Sequence, residues 1–426
     1  MLLGTALLLL GIGLQGTLLS LRALQENFSV DMIGYIMSSY FIGFAIGTYL
    51  CPPLIRTVGH IRAYAAFAAA TSSAAIAHVL AIDPYAWILL RIITGICMVG
   101  LYMVIESWLN ALSPNHLRGQ FFSAYMIITF IALALSQYLL LAGEISGFKL
   151  FAIIAILISS ALIPIAMTRV QQPQLIETPI LQLATIYHAC PVGVVGTTVT
   201  GIVMGAFWGM MPIYGSLIGL DTTGIAILLS ATIIGGAVLQ WPIGKTSDHV
   251  DRRVVLAVTA FSAAGLSLLS LSVENSNPEA LYVIFFLFGG FAFSLYSLSV
   301  AHVNDRLQPE QTLDASKSLL QLYGIGAVTG PFLSGLFMEF YGYRPLTWLF
   351  TVSLLTLGLF TVYRIFTYHV PPEETREPFL VMHRTTPVAL EMDPRIELNE
   401  DENSELPGCP ENNTSENESG QPEKPM

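Results

Sequence analysis

The chain has 426 residues, of which 54 % are hydrophobic and 11 % are charged, and its mean hydropathy is +0.66. Soluble domains are usually about 45–50 % apolar and about 25 % charged, so this composition excludes a water-soluble globular protein. The formal net charge of −11 belongs almost entirely to residues 369–426, which hold fourteen acidic and four basic side chains, and it therefore says little about the rest of the chain.

Apolar stretches of membrane-spanning length recur along the chain. About 20 residues in a helix cross the ~30 Å hydrocarbon core of a bilayer. Because lipid offers no hydrogen-bond partners, each spanning segment must satisfy its own backbone groups and is therefore helical. The sequence predicts an all-α polytopic membrane protein. Its twelve predicted spans are 2–21, 30–51, 63–82, 84–111, 119–142, 148–168, 190–213, 222–243, 253–273, 280–303, 315–338 and 346–367.

Arginine and lysine residues in the short loops predict the orientation, because cytoplasmic loops of membrane proteins are enriched in them. With the N-terminus in the cytoplasm, the outer loops hold only Arg22, Lys149 and Arg344. Ten basic residues then lie on the inner side: Arg56, Arg62, Arg118, Arg169, Lys245, Arg252, Arg253, Arg306, Lys317 and Arg364. We therefore expect both termini in the cytoplasm.

The chain carries a weak internal repeat. A Pro-rich helix end, a turn and a basic helix start surround Gly59 and recur at Asp251, and "LRGQFFSAY" resembles "LDASKSLLQ" at an offset of 196 residues. Six helices repeated about an axis along the membrane normal characterise one large class of secondary transporters. The tail contains nine prolines and few aromatic residues, a composition that cannot form a packed core. We expect an N-terminal six-helix bundle at 1–168, a cytoplasmic linker at 169–189, a C-terminal six-helix bundle at 190–368 and a disordered acidic cytoplasmic tail at 369–426.

The turn between spans 8 and 9 carries a motif. Gly244-x-x-x-Asp248-His-x-x-Arg252-Arg253 resembles the loop motif of the major facilitator superfamily (MFS), Gly-x-x-x-Asp-Arg/Lys-x-Gly-Arg-Arg. His249 stands where the motif has a basic residue, and the motif glycine is replaced by Asp251. The chain thus resembles members of the MFS. This resemblance implies that its two six-helix bundles form the MFS fold.

Other segments extend the resemblance over residues 1–368. The turn after span 2 keeps Gly59 and Arg62 of the loop motif but has Arg56 where the family has Asp. Arg91-x-x-x-Gly95 looks like the family's second motif. The segments "VIESWLN", ending span 4, and "AHVND", ending span 10, are similar to the poorly characterised bacterial YcaD-like branch. This resemblance implies a location in the bacterial inner membrane.

The loop motif implies a cytoplasmic gate made of ion pairs that form when the inner side closes. In the C-terminal half, the motif that begins at Gly244 would pair Asp248 with Arg252 or Arg253, and Asp305 is a further acceptor. In the N-terminal half, Glu106 is the expected acceptor for Arg56 or Arg62. The alternative is that these charges only anchor the helices at the membrane interface.

Arg91 differs from the other basic residues because it lies within a span, eight residues after Asp83 and so ~12 Å deep. A charge there costs at least ~2.5–3.5 kcal/mol and normally faces a polar interior or a partner. Arg91 therefore either faces a wet cavity, where it attracts anionic groups of a substrate, or extends to the interface. Six further candidates occupy helices that line the family's central cavity, although such residues are more often packing contacts between helices: Gln15, Tyr102, Gln137, Trp208, Tyr296 and Gln321.

The resemblance implies a secondary active transporter that moves a small solute by alternating access. Coupling to protons is expected and usually requires a carboxylate in the aqueous pathway. Glu106 is the only acidic residue well inside a span, and its position near the cytoplasmic end suits a gate better than a proton relay at the midplane. An uncoupled facilitator and a non-transporting sensor that signals through the acidic tail are the alternatives. An enzyme would require a cluster of catalytic residues at one depth, and no such motif is present. We expect a monomer in the lipid bilayer, with no cofactor, metal or nucleic acid.

Overall fold

The computed structural model describes residues 1–113, 117–167, 186–188, 190–274, 277–307, 309–367, 379, 381 and 386. Within these residues, twelve helices are long and apolar enough to cross a membrane. They are α1 (Leu2–Gln25), α2 (Val30–Val58), α3 (His60–Leu80), α4 (Pro84–Leu112), α5 (Arg118–Tyr138), α6 (Lys149–Ser160), α7 (Pro191–Leu217), α8 (Thr222–His249), α9 (Arg252–Val273), α10 (Pro278–Asn304), α11 (Pro309–Tyr341) and α12 (Arg344–Thr367). A 3₁₀ turn at Leu139–Ala142 extends α5, and a short helix at Leu162–Ala166 continues α6.

The twelve predicted spans are confirmed, and most of the helices extend beyond the apolar stretch that marks them. The largest difference is in α2, which was predicted to end at residue 51 but continues through Pro52 and Pro53 to Val58. Proline removes one backbone hydrogen bond, but packing against neighbouring helices compensates for such a loss in membrane proteins. The helix ends only at Gly59, because the φ of 87° at this residue is incompatible with an α-helix.

Two helix starts show the internal repeat at the level of single residues. The Asp83 side chain accepts a hydrogen bond from the Ala86 N–H at 2.8 Å and caps α4. Asn277, 194 positions later, caps α10 in the same way. Proline follows both caps, at the first helical position, where its missing N–H costs nothing. The two halves of the chain thus begin their fourth helices with the same local chemistry.

Glycines bring pairs of helices into backbone contact within each bundle. Gly43 and Gly95 lie where α2 crosses α4, each against a backbone carbonyl of the other helix. Gly235 and Gly289 do the same where α8 crosses α10. Lipid tails are as apolar as leucine, so helices in a membrane associate through such close packing rather than through a hydrophobic gain. The fold consists of two six-helix bundles built around equivalent crossings.

Among the described residues, backbone contacts between the two bundles lie near one side of the molecule. We call the side where α2, α4, α8 and α10 end the basic face, and the other side the opposite face. Near the opposite face, Gly34 of α2 packs against Gly335 of α11, and the Ser38 hydroxyl donates to the Val328 carbonyl at 2.8 Å. In an equivalent contact, the Ser230 hydroxyl of α8 donates to a backbone carbonyl of α5 at 2.8 Å. These contacts close the interface between the bundles at the opposite face.

The predicted linker and tail lie mostly outside the described residues. Of the linker at 169–189, residues 186–188 at its end are described, and of the tail at 369–426 only Phe379, Val381 and Thr386 are. The predicted disorder of the tail therefore concerns residues outside the described part. Phe379 and Val381 pack against the hydrophobic core, and Thr386 is fully buried.

The crossing of α8 and α10 gives a prediction about stability. A methyl group at Gly289 would overlap the backbone carbonyl of Thr232, whereas Gly265 on α9 faces open space. We expect Gly289→Ala to destabilise the protein by about 1–3 kcal/mol because the helices must move apart. Gly265→Ala is the matched control and should be neutral or stabilising, by up to about 1 kcal/mol, since alanine favours helix. Thermal unfolding of both purified variants in detergent measures the difference, and equal unfolding temperatures would contradict the assigned crossing.

Candidate functional site

A cavity of about 890 Å³ lies between the two bundles. Its walls come from α1, α2, α4 and α5 of the first bundle and from α7, α8, α10 and α11 of the second. Toward the basic face the lining extends to Arg56 and Lys317, and toward the opposite face it ends near Met37 and Val328. The cavity therefore reaches from the middle of the molecule toward the basic face, while the packed helices close it from the other side.

Aromatic side chains form much of the cavity wall. Tyr40 and Phe44 come from α2, and the centroid of the Phe44 ring lies 6.3 Å from that of Tyr102 on α4. Phe293 of α10 lies 6.1 Å from Phe130 of the first bundle, measured between ring centroids. The cavity thus offers apolar, flat surfaces contributed by both bundles.

Arg91 lies on this wall and is only 4 % exposed. Its guanidinium carbon is 4.5 Å from the centroid of the Tyr40 ring, within the range of a cation–π interaction. Among the described residues, none accepts a hydrogen bond from Arg91 Nε, and no carboxylate forms an ion pair with Arg91. Of the two arrangements considered from the sequence, the side chain adopts the one that faces the cavity.

Three other predicted substrate residues also line the cavity: Tyr102, Trp208 and Gln321. Gln321 Nε2 donates to the Tyr49 hydroxyl at 2.7 Å and so connects α11 with α2 across the bundle interface. Tyr40 and Phe293 were not singled out from the sequence. Tyr40 precedes Gly43 by about one helical turn, so the two residues share the side of α2 that meets α4. An aromatic residue in an apolar helix is common, however, and this position alone does not identify a residue of the cavity wall.

The remaining three predicted substrate residues are buried away from the cavity wall. Gln137 accepts a hydrogen bond from the Thr17 hydroxyl at 2.7 Å. Tyr296 packs edge-to-face on Tyr323, with ring centroids 5.2 Å apart. Gln15 is fully buried, and neither atom of its amide group has a hydrogen-bond partner among the described residues. None of these three residues is among those that line the cavity.

The motif between α8 and α9 forms a cluster of ion pairs at the basic face. Arg252 Nε donates to Asp305 Oδ2 at 2.5 Å, and Arg252 Nη2 lies 3.6 Å from Asp248 Oδ1. The Arg252 and Asp305 side chains are 1 % and 5 % exposed, whereas Asp248 is 26 % exposed. Asp305, considered from the sequence as a further acceptor, is the nearer and more buried partner.

Arg253 takes a different partner from the same loop. Its guanidinium pairs with Asp251 at 2.8 Å, and the Asp251 carboxylate also accepts the Arg253 backbone N–H and caps α9. Burial alone would raise the pKa of Asp251, but the hydrogen bonds and charge of Arg253 outweigh it and hold the pKa below its usual value. Asp251 occupies the place of the motif glycine, and its position before a helix start was the signal for this role.

Glu106 is fully buried near the end of α4. The Tyr125 hydroxyl donates to one carboxylate oxygen at 3.0 Å, and the Thr386 hydroxyl donates to the other. Arg56 and Arg62 are exposed, and Arg56 lies on the cavity wall. The pairing of Glu106 with either arginine stays a prediction.

Two bundles of six membrane-length helices around a shared cavity are the architecture of one class of helical membrane transporters. The family model of the Major Facilitator Superfamily matches residues 1–180 and 193–391. The chain therefore belongs to the Major Facilitator Superfamily. The match continues past residue 368, where the resemblance in the sequence was taken to end.

Curated relatives confirm the resemblance to the YcaD-like branch. An uncharacterised MFS-type transporter of Enterobacter sp. (strain 638) is 28 % identical over 341 residues, which cover 79 % of this chain and 88 % of the relative. The uncharacterised MFS-type transporter YcaD of Escherichia fergusonii is 27 % identical over 340 residues, with the same coverage.

Solved structures share the fold. The nucleoside transporter NupG superimposes with a TM-score of 0.68 at 16 % identity, over 87 % of this chain and 100 % of its own. A bacterial homologue of the human lysosomal transporter Spinster, in an inward-facing and occupied conformation, has a TM-score of 0.69 at 12 % identity, with coverage of 87 % and 98 %. At these identities the likeness concerns the fold alone.

The two carboxylates near Arg252 should differ in their effect on stability. Removing one partner of a buried ion pair costs about 3–5 kcal/mol, so we expect Asp305→Asn to lower the unfolding temperature markedly. Asp248→Asn is the matched control, because its carboxylate is more exposed and farther from Arg252, and we expect a loss below about 1 kcal/mol. Thermal unfolding in detergent compares the two variants. A larger loss for Asp248→Asn would contradict the assignment of Asp305 as the main partner.

Proposed function

We propose that this protein is a secondary active transporter that moves a small solute through the central cavity by alternating access. The observation that carries this proposal is the cavity between the bundles, which extends toward the basic face and is closed near the opposite face by packing between α2 and α11. A cavity that is open toward one side of the membrane corresponds to one of the two states that alternating access requires.

We further propose that the protein resides as a monomer in a bacterial inner membrane, with the basic face and both termini in the cytoplasm. The excess of arginine and lysine in the loops of that face supports this orientation. With this orientation, the cavity opens toward the cytoplasm. Like the two bundles expected at 1–168 and 190–368, the orientation is inferred from the sequence.

The gate on the cytoplasmic side is proposed to involve the Arg252 cluster. Asp248 is the more exposed carboxylate of that cluster and lies at the turn, where it can change partners as the bundles approach. We expect the Asp248→Asn variant to be as abundant in the membrane as the unsubstituted protein but to take up its solute more slowly, by about tenfold or more. The reason is that a hydrogen bond to a charged group contributes about 1.5–3 kcal/mol. Uptake into proteoliposomes measures this effect, and unchanged uptake would exclude Asp248 from the gate.

Alternating access predicts that the contact between α2 and α11 must separate during transport. At the opposite face, the Val30 N–H of α2 donates to Glu339 Oε2 of α11 at 2.6 Å, so these two residues are neighbours across the contact. In a Val30→Cys/Glu339→Cys variant, linking the two thiols with a short bifunctional reagent should abolish uptake. Each single cysteine variant serves as a control and should transport after the same treatment. Full uptake by the cross-linked protein would overturn the mechanism.

Proton coupling is proposed to use Glu106. A carboxylic acid that is buried in one state and hydrated in another can carry a proton across the membrane. We expect Glu106→Gln to remove the acceleration of uptake by a proton gradient, measured in proteoliposomes with and without that gradient. Gradient-independent uptake by the unsubstituted protein would identify a facilitator instead. Ligand binding without any uptake would identify the non-transporting sensor.

A further inference from the structure

The charged residues on the cavity wall all carry the same sign. Among the described residues that line the cavity, Arg56, Arg91 and Lys317 are basic and none is acidic. In a cleft with low-dielectric walls, charges of one sign concentrate ligands of the other sign and repel ligands of their own. Lys317 also interacts electrostatically with Asp314, so the preference for an anion over a cation rests on Arg91.

Arg91 provides the most specific point of attachment for an anion. It is almost fully buried, yet its Nε has no acceptor among the described residues. Tyr40 covers the guanidinium by a cation–π contact, which leaves the N–H groups at its edge as the donors. A guanidinium can bind a carboxylate or phosphate through two parallel hydrogen bonds. A bound oxyanion would also neutralise a charge that is costly to bury alone.

The rest of the cavity suits an apolar body rather than a densely polar one. Rings of Phe44, Tyr102, Phe130, Trp208 and Phe293 lie on its wall. The volume of about 890 Å³ falls within the ~300–1,000 Å³ of typical small-molecule sites. A ligand with an aromatic or aliphatic body would therefore cover these rings while its charged group approaches Arg91.

We propose that the cavity binds an organic oxyanion whose carboxylate or phosphate contacts Arg91 and whose apolar body packs on the aromatic wall. This proposal rests on the proposed transport function and names its substrate class. It does not depend on how the bundles move, because binding can be measured without transport.

A charge-matched panel tests the substrate class on the purified full-length protein. The probes are benzoate, 3-phenylpropionate and indole-3-acetate, each with its uncharged amide and its corresponding amine, together with phenyl phosphate. Thermal unfolding at millimolar probe concentration gives the affinity of each. We expect the oxyanions to raise the unfolding temperature of the protein and the amides and amines to change it little. Comparing the carboxylates with phenyl phosphate shows which charged group the site prefers.

Variants connect the result to Arg91. Arg91→Gln should weaken oxyanion binding by about tenfold or more, and Arg91→Lys should restore part of it. Lys149→Gln is the matched control, because it removes an exposed basic charge that is not on the cavity wall. Equal binding of acid and amide, unchanged affinity in Arg91→Gln, or no stabilisation by any oxyanion would each overturn the proposal. A transporter that binds uncharged probes would retain the proposed function and lose only the substrate class.

A second, independent observation concerns the C-terminal tail, whose described residues contact both bundles. The Phe379 N–H donates to Asp248 Oδ1 at 2.8 Å, and the Phe379 ring packs so closely on Gly244 that a methyl group there would overlap it. Thr386 is fully buried and donates its hydroxyl hydrogen to Glu106. The tail thus contacts α8 of the second bundle and α4 of the first.

These contacts occupy the two carboxylates that the proposed mechanism requires to change partners. Asp248 belongs to the gate cluster, and Glu106 is the proposed proton carrier. While Phe379 packs on Gly244 and Thr386 donates to Glu106, rearrangement of the bundle ends at the basic face requires these contacts to break. We infer that Phe379 and Thr386 act as an intramolecular strap that stabilises the state open toward the basic face and slows turnover.

The strap is tested in the full chain with Phe379→Ala and Thr386→Val together. The matched control combines Phe366→Ala and Thr356→Val, which alter exposed residues of the same types on α12. Accessibility is read from Ser38→Cys, which lies in the closed contact between α2 and α11 and becomes reactive when that contact opens.

We expect the strap variant to increase maleimide labelling of Ser38→Cys by about fivefold, the effect of losing a hydrogen bond of about 1 kcal/mol. Uptake should increase in parallel, and the control should change neither quantity. Labelling equal to that of the control would overturn the strap. Increased labelling without increased uptake would restrict its role to the conformational equilibrium and exclude an effect on turnover. Labelling is measured without added oxyanion, so its result does not decide the oxyanion proposal.

Discussion

Backbone-to-backbone packing at glycines holds this membrane protein together, since lipid gives apolar side chains no reason to leave it. Gly43 and Gly95 allow α2 and α4 to touch, and Gly235 and Gly289 do the same for α8 and α10. A further close contact, between Gly34 and Gly335, joins the two bundles near the opposite face. Toward the basic face the bundles enclose the cavity, whose wall carries aromatic side chains of both bundles.

Two buried arginines, Arg252 and Arg91, meet the cost of burial in different ways. Arg252 forms an ion pair with Asp305 and lies within reach of Asp248, so its charge is balanced within the protein. Arg91 has the ring of Tyr40 on one face and no carboxylate partner among the described residues. A buried charge without a counter-charge is expensive unless a ligand or water supplies one. The first arginine is therefore suited to an ion-pair cluster at a loop, and the second to binding a ligand that enters the cavity.

The proposed gate, proton carrier and strap share residues, so they would act on one conformational equilibrium. Asp248 contacts both Arg252 and Phe379, and Glu106 contacts both Tyr125 and Thr386. A change that stabilises these contacts favours the state that is open toward the basic face. The size of the shift equals the difference in the free energy of the contacts between the two states. The proposed oxyanion site belongs to the same equilibrium, because Arg91 lies in a cavity formed by both bundles. Release of the strap would therefore change the affinity for the anion, and loss of the anion would change the free energy of strap release.

The amino-acid sequence by itself determined the twelve spans, because hydrophobic length is a local property of the chain. The bounds of the two halves and the depth of Arg91 stay predictions. The sequence also singled out Asp248, Arg252 and Glu106 through the motif and the rarity of charge. Only the tertiary structure decided which side chains face the cavity. It placed Trp208 on the wall, and Gln15 away from it.

The reason is that a helix which is apolar on all sides shows little periodicity, so its rotation is fixed by packing against its neighbours and cannot be inferred from its own residues. Partners distant in sequence were decided in the same way. Asp305 pairs with Arg252 from 53 positions away, and Thr386 reaches Glu106 from 280 positions away.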